Sequence, residues 1–191
     1  ELMEQQASRM RHIVNDLLVL AKLEGDNKPP SDQMIDMRAV LRHLQDDAHS
    51  LSSDHHKILF DLDEELTVTG VETEILSALG NLVTNAIRYT PDGGAIRVNW
   101  QAHGGQAVFS VTDSGLGIPA ADIPRLTERF YRVDRSRSRD TGGTGLGLAI
   151  VKHVLQRHEA QLDVKSEEGR GSTFTVRFPA YRTARRQPAP V

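Results

Sequence analysis

The sequence contains no cysteine among its 191 residues. Disulfide frameworks, thiolate zinc sites and cysteine nucleophiles are therefore excluded. No apolar run approaches the roughly 18 to 20 residues that a membrane-spanning helix needs, and no signal peptide is visible. Because the sequence begins with Glu1 rather than methionine, we expect a soluble piece of a longer protein.

The sequence also lacks an excess of charge of either sign. Its 23 basic and 26 acidic side chains give a formal net charge of −3, which offers no general attraction to nucleic acid or to an anionic membrane. Apolar residues make up 38% of the chain, and with 15 glycines this is an ordinary globular composition. The length suits one full domain with an appendage.

The first segment, residues 1–25, has the period of a helix. Ile13, Leu18 and Leu20 widen an apolar stripe that predicts a bundle with several neighbouring helices. Two prolines in residues 26–33 end this helix and predict an interdomain linker. The stripe itself alternates steps of four and three, as a heptad seam does, at Met3, Ala7, Met10, Val14, Leu17 and Ala21.

Residues 34–180 are predicted to form one domain that mixes helices and strands. A last segment, residues 181–191, has too little apolar content to fold and is predicted to be a flexible tail. Periodicity and turn residues predict helices at 37–51, 71–89 and 145–158, and strands at 57–62, 66–70, 95–102, 106–113, 161–167 and 172–178.

Two amides and a guanidinium follow one another on the second of these helices. Asn81 and Asn85 are four residues apart and share a face, which Arg88 and Tyr89 continue one turn on. Mg²⁺ takes oxygen ligands and usually shares them with substrate phosphates, and arginine donates to phosphate oxygens. The pattern therefore suits a metal-bound polyphosphate, although a polar solvent face gives the same spacing.

A carboxylate stands where an alternating strand ends, at Asp113, and Gly115 and Gly117 follow it. Such a carboxylate can accept a hydrogen bond from an exocyclic amine, and glycines let a flat ring approach the backbone closely. The alternative is an ordinary Asp-Ser-Gly turn.

Glycines also run directly into the helix predicted at 145–158. Gly143, Gly145 and Gly147 would expose backbone N–H groups at the positive end of the helix dipole, which suits a phosphate. The spacing matches neither the dinucleotide-binding fingerprint nor the P-loop. A further glycine turn, at residues 169–171, marks a hairpin and little else when taken alone.

Six arginines precede this glycine run. They could close over phosphates as a lid, or they could form a solvated charged face. Their positions are Arg125, Arg129, Arg132, Arg135, Arg137 and Arg139.

Taken in order, these motifs resemble the catalytic, ATP-binding domain of sensor histidine kinases, in the superfamily shared with gyrase, Hsp90 and MutL ATPases. The resemblance covers residues 34–179 and implies an α+β fold, a two-layer α/β sandwich of the Bergerat type. Residues 125–154 further resemble kinases of the phosphate-regulon (PhoR) type. The matching segments are NLVTNAIRYT (N box), DSGLGIP (G1 box), RFYRVD (F box), GGTGLGL (G2 box) and GRGSTF (last glycine box).

The resemblance implies that the site binds ATP and Mg²⁺ and assigns roles to the phosphate side. Asn85 would be the Mg²⁺ ligand, with Asn81 beside it toward the phosphates. Arg88 would reach phosphate, and Tyr89 would line the nucleotide. Gly143, Gly145 and Gly147 would bracket the phosphates, and Arg132 would be the arginine near the γ-phosphate.

On the base side, the resemblance implies that Asp113 receives the adenine amino group. Gly117 would lie against the ring, and Thr173 would help to hold the base. Phe130 and Tyr131 would anchor the lid. The remaining implied neighbours of the nucleotide are Gly115, Ile118, Thr144, Leu146 and Leu148.

Position 81 discriminates within the superfamily. The hydrolytic members carry a glutamate there as a general base for water, whereas Asn81 cannot take up a proton in that role. The resemblance therefore implies phosphoryl transfer to a better-placed nucleophile, which depends mostly on positioning and charge neutralisation. An ATP-hydrolysing module and a nucleotide-sensing module without kinase activity are the alternatives.

The first helix resembles the second helix of a kinase dimerisation and phosphoacceptor domain, but the acceptor motif of histidine, acidic residue and nearby proline is missing. The implied partners are a separate histidine-bearing acceptor domain, a response regulator (PhoB type) and, as an option, a second copy through this helix, with no nucleic acid. The fragment would be cytoplasmic and its parent membrane-bound. Five histidines are interpreted as structural or solvated: His12, His55, His56, His153 and His158.

Overall fold

A computed structural model of the chain describes residues 2–25, 33–133 and 143–186. None of its helices, within those ranges, is both long and apolar enough to cross a membrane. The helices are α1 (Leu2–Gly25), α2 (Met37–Ser52), α3 (Glu72–Tyr89) and α4 (Gly147–Arg157). The strands are β1 (Lys57–Leu62), β2 (Leu66–Val68), β3 (Ala95–His103), β4 (Gln106–Asp113), β5 (Gln161–Glu167), β6 (Gly171–Arg177) and β7 (Thr183–Arg185).

Five strands form a mixed sheet in the order β1-β3-β4-β6-β5. Strand β1 runs parallel to β3, and the other neighbours are antiparallel. Alternate side chains along each strand turn toward α2, α3 and α4, so that Trp100, Phe109 and Val176 are fully buried. The predicted α+β sandwich, preceded by one helix, is confirmed.

Helix α3 carries the polar face that the spacing predicts. Leu79, Leu82 and Val83 are buried against the sheet and the neighbouring helices. Asn81 and Asn85 lie on the other side of the helix and are only partly buried. The same helix therefore contributes both to the core and to the candidate site.

The predicted flexible tail is wrong for residues 181–186. Arg182 is 4% exposed, and β7 pairs antiparallel with β2. Thr183 Oγ1 accepts a hydrogen bond from the Ala107 N–H at 2.9 Å, and Arg185 pairs with Asp63 at 2.7 Å. Backbone pairing and charge hold this segment, so apolar periodicity could not reveal it. Residues 187–191 lie outside the described ranges, as does the predicted linker apart from residue 33.

Helix α1 divides its apolar residues between two surroundings. Leu20 and Leu23 are buried where α1 packs on α4, whereas the seam residues Met3, Met10 and Val14 are exposed. The polar contacts to the domain are Thr144 Oγ1 to Asp16 Oδ2 at 2.7 Å, His153 Nε2 to Glu24 Oε1 at 3.3 Å, and an ion pair of Arg129 with Glu24. The helix bundle stays a prediction.

A fully buried histidine joins the start of α3 to the end of α4. His158 Nε2 accepts the Val71 N–H at 3.1 Å, so Nδ1 carries the proton and donates to the Val154 carbonyl oxygen at 2.8 Å. A β-carbon on Gly70 would overlap the ring. Burial lowers the pKa of His158, partly opposed by the Val154 carbonyl and by Glu74 at 3.8 Å. Of the two interpretations that the sequence leaves open, structural or solvated, the structure shows the structural one for this residue.

We expect His158 to make the fold sensitive to acid. The pKa of His158 is lower in the folded than in the unfolded state, so the neutral ring stabilises the fold fully above the unfolded pKa of about 6.5. As the pH falls from there toward the folded pKa, the free energy of unfolding decreases by at most about 1.4 kcal/mol per pH unit. Urea unfolding between pH 7.5 and 5.5 should show a shallower acid loss in His158→Gln than in the wild type. The exposed His43→Gln is the matched control and should keep the wild-type slope; equal slopes in all three proteins would contradict the expectation.

Candidate functional site

The centre of the base-side pocket is a buried carboxylate. Asp113 ends β4 and is 7% exposed. Its Oδ1 accepts the N–H groups of Gly115 at 2.8 Å and Ser172 at 3.3 Å, whereas Oδ2 has no hydrogen-bond partner among the described residues. Burial raises the pKa of Asp113, and the two N–H donors offset this only in part. One carboxylate oxygen is thus fixed by the backbone, and the other can accept a hydrogen bond from a ligand.

The glycines around Asp113 are required by close backbone packing. A β-carbon on Gly115 would overlap the Tyr89 carbonyl oxygen, and one on Gly117, whose φ is +66°, would overlap the Glu167 carbonyl oxygen. The structure thus gives these two glycines a further role, because they let the loop after β4 lie against the end of α3 and the β5–β6 turn. Ile118 continues this loop, and its N–H donates to Ser166 Oγ at 2.8 Å.

On β6, Ser172 rather than Thr173 lies beside Asp113, and a role for Thr173 in holding the base stays a prediction. In the register of β4 and β6, Asp113 faces Ser172 and Thr112 faces Thr173. The Thr112 and Thr173 hydroxyls lie 3.1 Å apart on the outer face of the sheet, so Thr173 points away from Asp113. Ser172 is 7% exposed, and its hydroxyl is 2.9 Å from Ser166 Oγ. The alternation with buried Phe174 was the signal that sequence reasoning overlooked.

The two asparagines on α3 have different surroundings. Asn81 Nδ2 donates to the Ser77 carbonyl oxygen at 2.8 Å, and a β-carbon on Gly147 would overlap Asn81 Oδ1. Asn81 therefore touches the N-terminus of α4. The Asn85 side chain makes no hydrogen bond to the described residues, so its amide oxygen can serve as a ligand for a hard cation. The described ranges contain no cluster of three or more histidine, aspartate and glutamate residues that could hold a metal.

Three polar side chains converge on Gly143. A β-carbon on this buried glycine would lie 3.4 Å from Arg88 Nη1, 3.6 Å from the Tyr89 hydroxyl and 3.7 Å from Arg132 Nη2. Arg88 and Tyr89 of α3 are thus brought together with Arg132 and Gly143. Their N–H and O–H groups can donate to an anion placed there.

The glycine run after residue 142 turns into α4 two residues later than predicted. Gly145 has φ +74°, so the helix begins only at Gly147. Thr144 Oγ1 accepts the Leu146 N–H at 3.2 Å, and the Gly145 carbonyl oxygen accepts the Phe130 N–H at 2.9 Å. Leu146 is fully buried and Leu148 packs against the core, so these two side chains fix the start of α4. The N-terminal N–H groups of α4 point toward the site and favour an anion.

Phe130 and Tyr131 lie near the end of the described range 33–133. Phe130 has φ +62° and is 58% exposed. The Tyr131 hydroxyl donates to Asp122, and the Arg125 guanidinium lies 4.2 Å from the centre of the Tyr131 ring. The hydrogen bond to Asp122 raises the pKa of Tyr131. These contacts fit an anchoring role. Arg135, Arg137 and Arg139 lie outside the described residues.

Comparison with known proteins identifies the family. The model of the histidine kinase-, DNA gyrase B-, and HSP90-like ATPase family matches residues 70–182. The chain belongs to this family. It is 51% identical over 177 residues to the phosphate regulon sensor protein PhoR of Pseudomonas aeruginosa, covering 92% of this chain and 40% of PhoR. The chain thus spans about two fifths of the length of this curated relative.

Solved structures place the domain among sensor histidine kinases. The mycobacterial sensor histidine kinase MprB is 28% identical with a TM-score of 0.67, covering 78% of this chain and 97% of that chain. Full-length ShkA in complex with AMPPNP is 26% identical with a TM-score of 0.76, covering 92% of this chain and 36% of that chain. The domain described here thus has the fold of the ATPase domain found in sensor histidine kinases.

The glycine packing gives a stability test. A β-carbon on Gly171, with φ +105°, would overlap the Asp113 carbonyl oxygen, whereas one on Gly169, with φ +79°, would meet nothing within 4 Å. We expect Gly169→Ala to lower the free energy of unfolding by about 1 kcal/mol through backbone strain alone. Gly171→Ala adds a backbone clash and should cost about 2 to 5 kcal/mol. Denaturant unfolding of both variants provides the measurement, and similar losses would refute the packing argument.

Proposed function

We propose that this chain is the catalytic part of a sensor histidine kinase, which binds Mg-ATP and transfers the γ-phosphoryl group to a histidine on a separate acceptor helix. The observation that carries the proposal is the amide at position 81. Asn81 contacts the N-terminus of α4, where hydrolytic members of the superfamily need a carboxylate to activate water.

In this proposal, Asp113 recognises adenine. The backbone N–H groups of Gly115 and Ser172 hold Oδ1, and Oδ2 accepts a hydrogen bond from the exocyclic amine of the base. Because the carboxylate is buried, this hydrogen bond forms where little water competes for it. The AMPPNP in the related ShkA structure supports a nucleotide in this fold.

The phosphates occupy the space between α3 and the start of α4. Arg88, Arg132 and the N–H groups of the glycine run neutralise their charge. The Asn85 amide oxygen fits Mg²⁺ as one ligand beside phosphate oxygens and water. Bound Mg²⁺ would supply further charge neutralisation at the β- and γ-phosphates.

Transfer then requires an imidazole from outside this domain. A ring nitrogen of the acceptor histidine bonds to the γ-phosphorus, the bond from that phosphorus to the bridging oxygen breaks, and ADP leaves. His158 is followed by an acidic residue, but it is fully buried and both of its ring nitrogens are hydrogen-bonded, so it does not serve as the acceptor. Asn81 cannot deprotonate water, which favours this transfer over hydrolysis.

The biological setting follows from the relatives. The identity of 51% to PhoR supports phosphate-regulon signalling, with the phosphoryl group passing to a response regulator of the PhoB type. We place the chain on the cytoplasmic side of a membrane-bound parent. The exposed seam of α1, which includes Met3, Met10 and Val14, is the surface for the rest of the acceptor bundle or a second copy.

The kinase assignment is tested by supplying the acceptor. The chain is mixed with γ-labelled Mg-ATP and the separate acceptor domain of Pseudomonas aeruginosa PhoR, and protein-bound label and free phosphate are followed together. We expect acid-labile label on the acceptor and little free phosphate. In Asn85→Ala, neither protein-bound label nor free phosphate should form. Free phosphate without labelled protein would indicate an ATPase. Nucleotide binding without either product would indicate a nucleotide-sensing module.

The Asp113 assignment predicts a change in base preference. In Asp113→Asn, the amide oxygen can keep the two backbone donors, but the amide nitrogen then faces the adenine amine with a donor. We expect affinity for an ATP analogue, measured by calorimetry, to fall about tenfold to a hundredfold. Affinity for the GTP analogue should fall less, because guanine presents a carbonyl oxygen there. Asp61→Asn on β1 is the control, and equal losses for both nucleotides would count against Asp113 as the base acceptor.

A further inference from the structure

We propose that His56 is a positioning residue for phosphate binding, because it fixes the carbonyl at the end of α3 and thereby the direction of Arg88 and Tyr89. This inference rests on the proposed function, since it concerns how the same site holds the phosphates of ATP. His56 lies in the loop between α2 and β1 and is outside every motif that the resemblance covers.

The His56 ring bridges two elements. Its Nε2 lies 2.9 Å from the Thr90 carbonyl oxygen, and its Nδ1 lies 3.1 Å from Ser52 Oγ. A carbonyl oxygen can only accept, so Nε2 carries the proton, and in the neutral ring Nδ1 accepts from the Ser52 hydroxyl. Ser52 Oγ also accepts the His56 backbone N–H at 3.1 Å, and Ser52 is 3% exposed. The ring is therefore held from the end of α2 and directed at Thr90.

Thr90 sets the direction that the backbone takes after α3. It caps the helix with extended backbone (φ −99°, ψ 124°) and is 5% exposed. Its hydroxyl donates to the Ala86 carbonyl oxygen at 2.6 Å, so the Thr90 side chain is bound to the helix while its carbonyl is bound to His56. The adjacent Tyr89 carbonyl oxygen accepts the Leu116 N–H at 3.1 Å, which ties the same peptide segment to the loop after Asp113.

The last turn of α3 carries the phosphate-side groups. Arg88 Nη1 and the Tyr89 hydroxyl lie 3.4 and 3.6 Å from the β-carbon position of Gly143. The C-terminal carbonyls of a helix have no partner within the helix, so the partner they find outside it sets how the last turn ends. Removal of the His56 donor leaves the Thr90 carbonyl without this partner and allows the turn that bears Arg88 to shift.

A merely structural histidine would affect all ligands alike. If His56 acts through Arg88, its loss weakens ATP much more than adenosine, which has no phosphate. The loss of ATP affinity caused by a His56 substitution also disappears in a chain that already lacks the Arg88 side chain, because both substitutions act on the same contact. These two signatures separate positioning from a general loss of stability.

The test uses the whole 191-residue chain. Protein-observed NMR titrations with Mg-AMPPNP and with adenosine compare the wild type, His56→Leu, His56→Gln and Ser52→Ala, and circular dichroism verifies folding. His56→Leu removes both polar contacts at similar size, whereas His56→Gln can keep a donor to Thr90. His55→Ala is the matched control, because the adjacent His55 ring is 62% exposed and contacts only Asp92 among the described side chains.

We expect His56→Leu to weaken Mg-AMPPNP about fivefold to tenfold and adenosine less than twofold. His56→Gln and His55→Ala should stay within about twofold of the wild type, and Ser52→Ala should show a smaller loss in the same direction as His56→Leu. In the Arg88→Ala background, adding His56→Leu should cost less than about twofold. Equal losses for both ligands, additive losses with Arg88→Ala, or unchanged binding would overturn the inference. If His56→Leu does not fold, the affinities of Ser52→Ala for Mg-AMPPNP and for adenosine serve as the test instead. A wild-type chain that binds neither ligand would instead overturn the proposed function.

Discussion

One carboxylate oxygen of Asp113 accepts two backbone hydrogen bonds, and these two bonds organise the base side of the site. Oδ1 receives an N–H from the loop that follows β4 and another from β6, so one buried carboxylate oxygen ties the end of β4 to Ser172, which lies 59 residues further along the chain. A buried carboxylate needs such donors, because an unpaired charge is costly in a protected environment. The same two bonds leave Oδ2 without a hydrogen-bond partner among the described residues, so in the proposed function the bonds that stabilise the fold also leave the acceptor for the adenine amine.

Helix α3 connects this base side to the phosphate side. Its Tyr89 carbonyl oxygen receives the Leu116 N–H from the loop after Asp113, and its Asn81 amide contacts Gly147 at the start of α4. Leu79 and Leu82 bury the opposite side of the helix in the core. Because one helix contacts both parts, packing sets the distance between the surroundings of Asp113 and those of Gly143, and glycines are needed where backbones meet.

Sequence reasoning located the elements better than the orientation of individual side chains. The period of Leu79, Leu82 and Val83 defined α3, since burial of one face imposes that spacing. The sequence does not single out Ser172 as the β6 residue beside Asp113, because a glycine box gives residue types but not strand parity, which only the pairing with β4 fixes. Strand β7 and the His56 contact are stabilised by long-range hydrogen bonds, which leave no periodic trace in the sequence.

The chemistry proposed for the site depends more on where hydrogen-bond donors are held than on side chains that take up or release protons. The donors proposed to face the phosphates are backbone N–H groups, two arginines and a tyrosine, and the residue proposed to stand in place of a general base is an amide. Phosphoryl transfer through a loose transition state needs such fixed donors and an aligned nucleophile, and it gains little from a protein base that activates water. In the proposed function, a domain built in this way holds the nucleotide in a reactive geometry and leaves the choice of acceptor to the protein that presents a histidine to it.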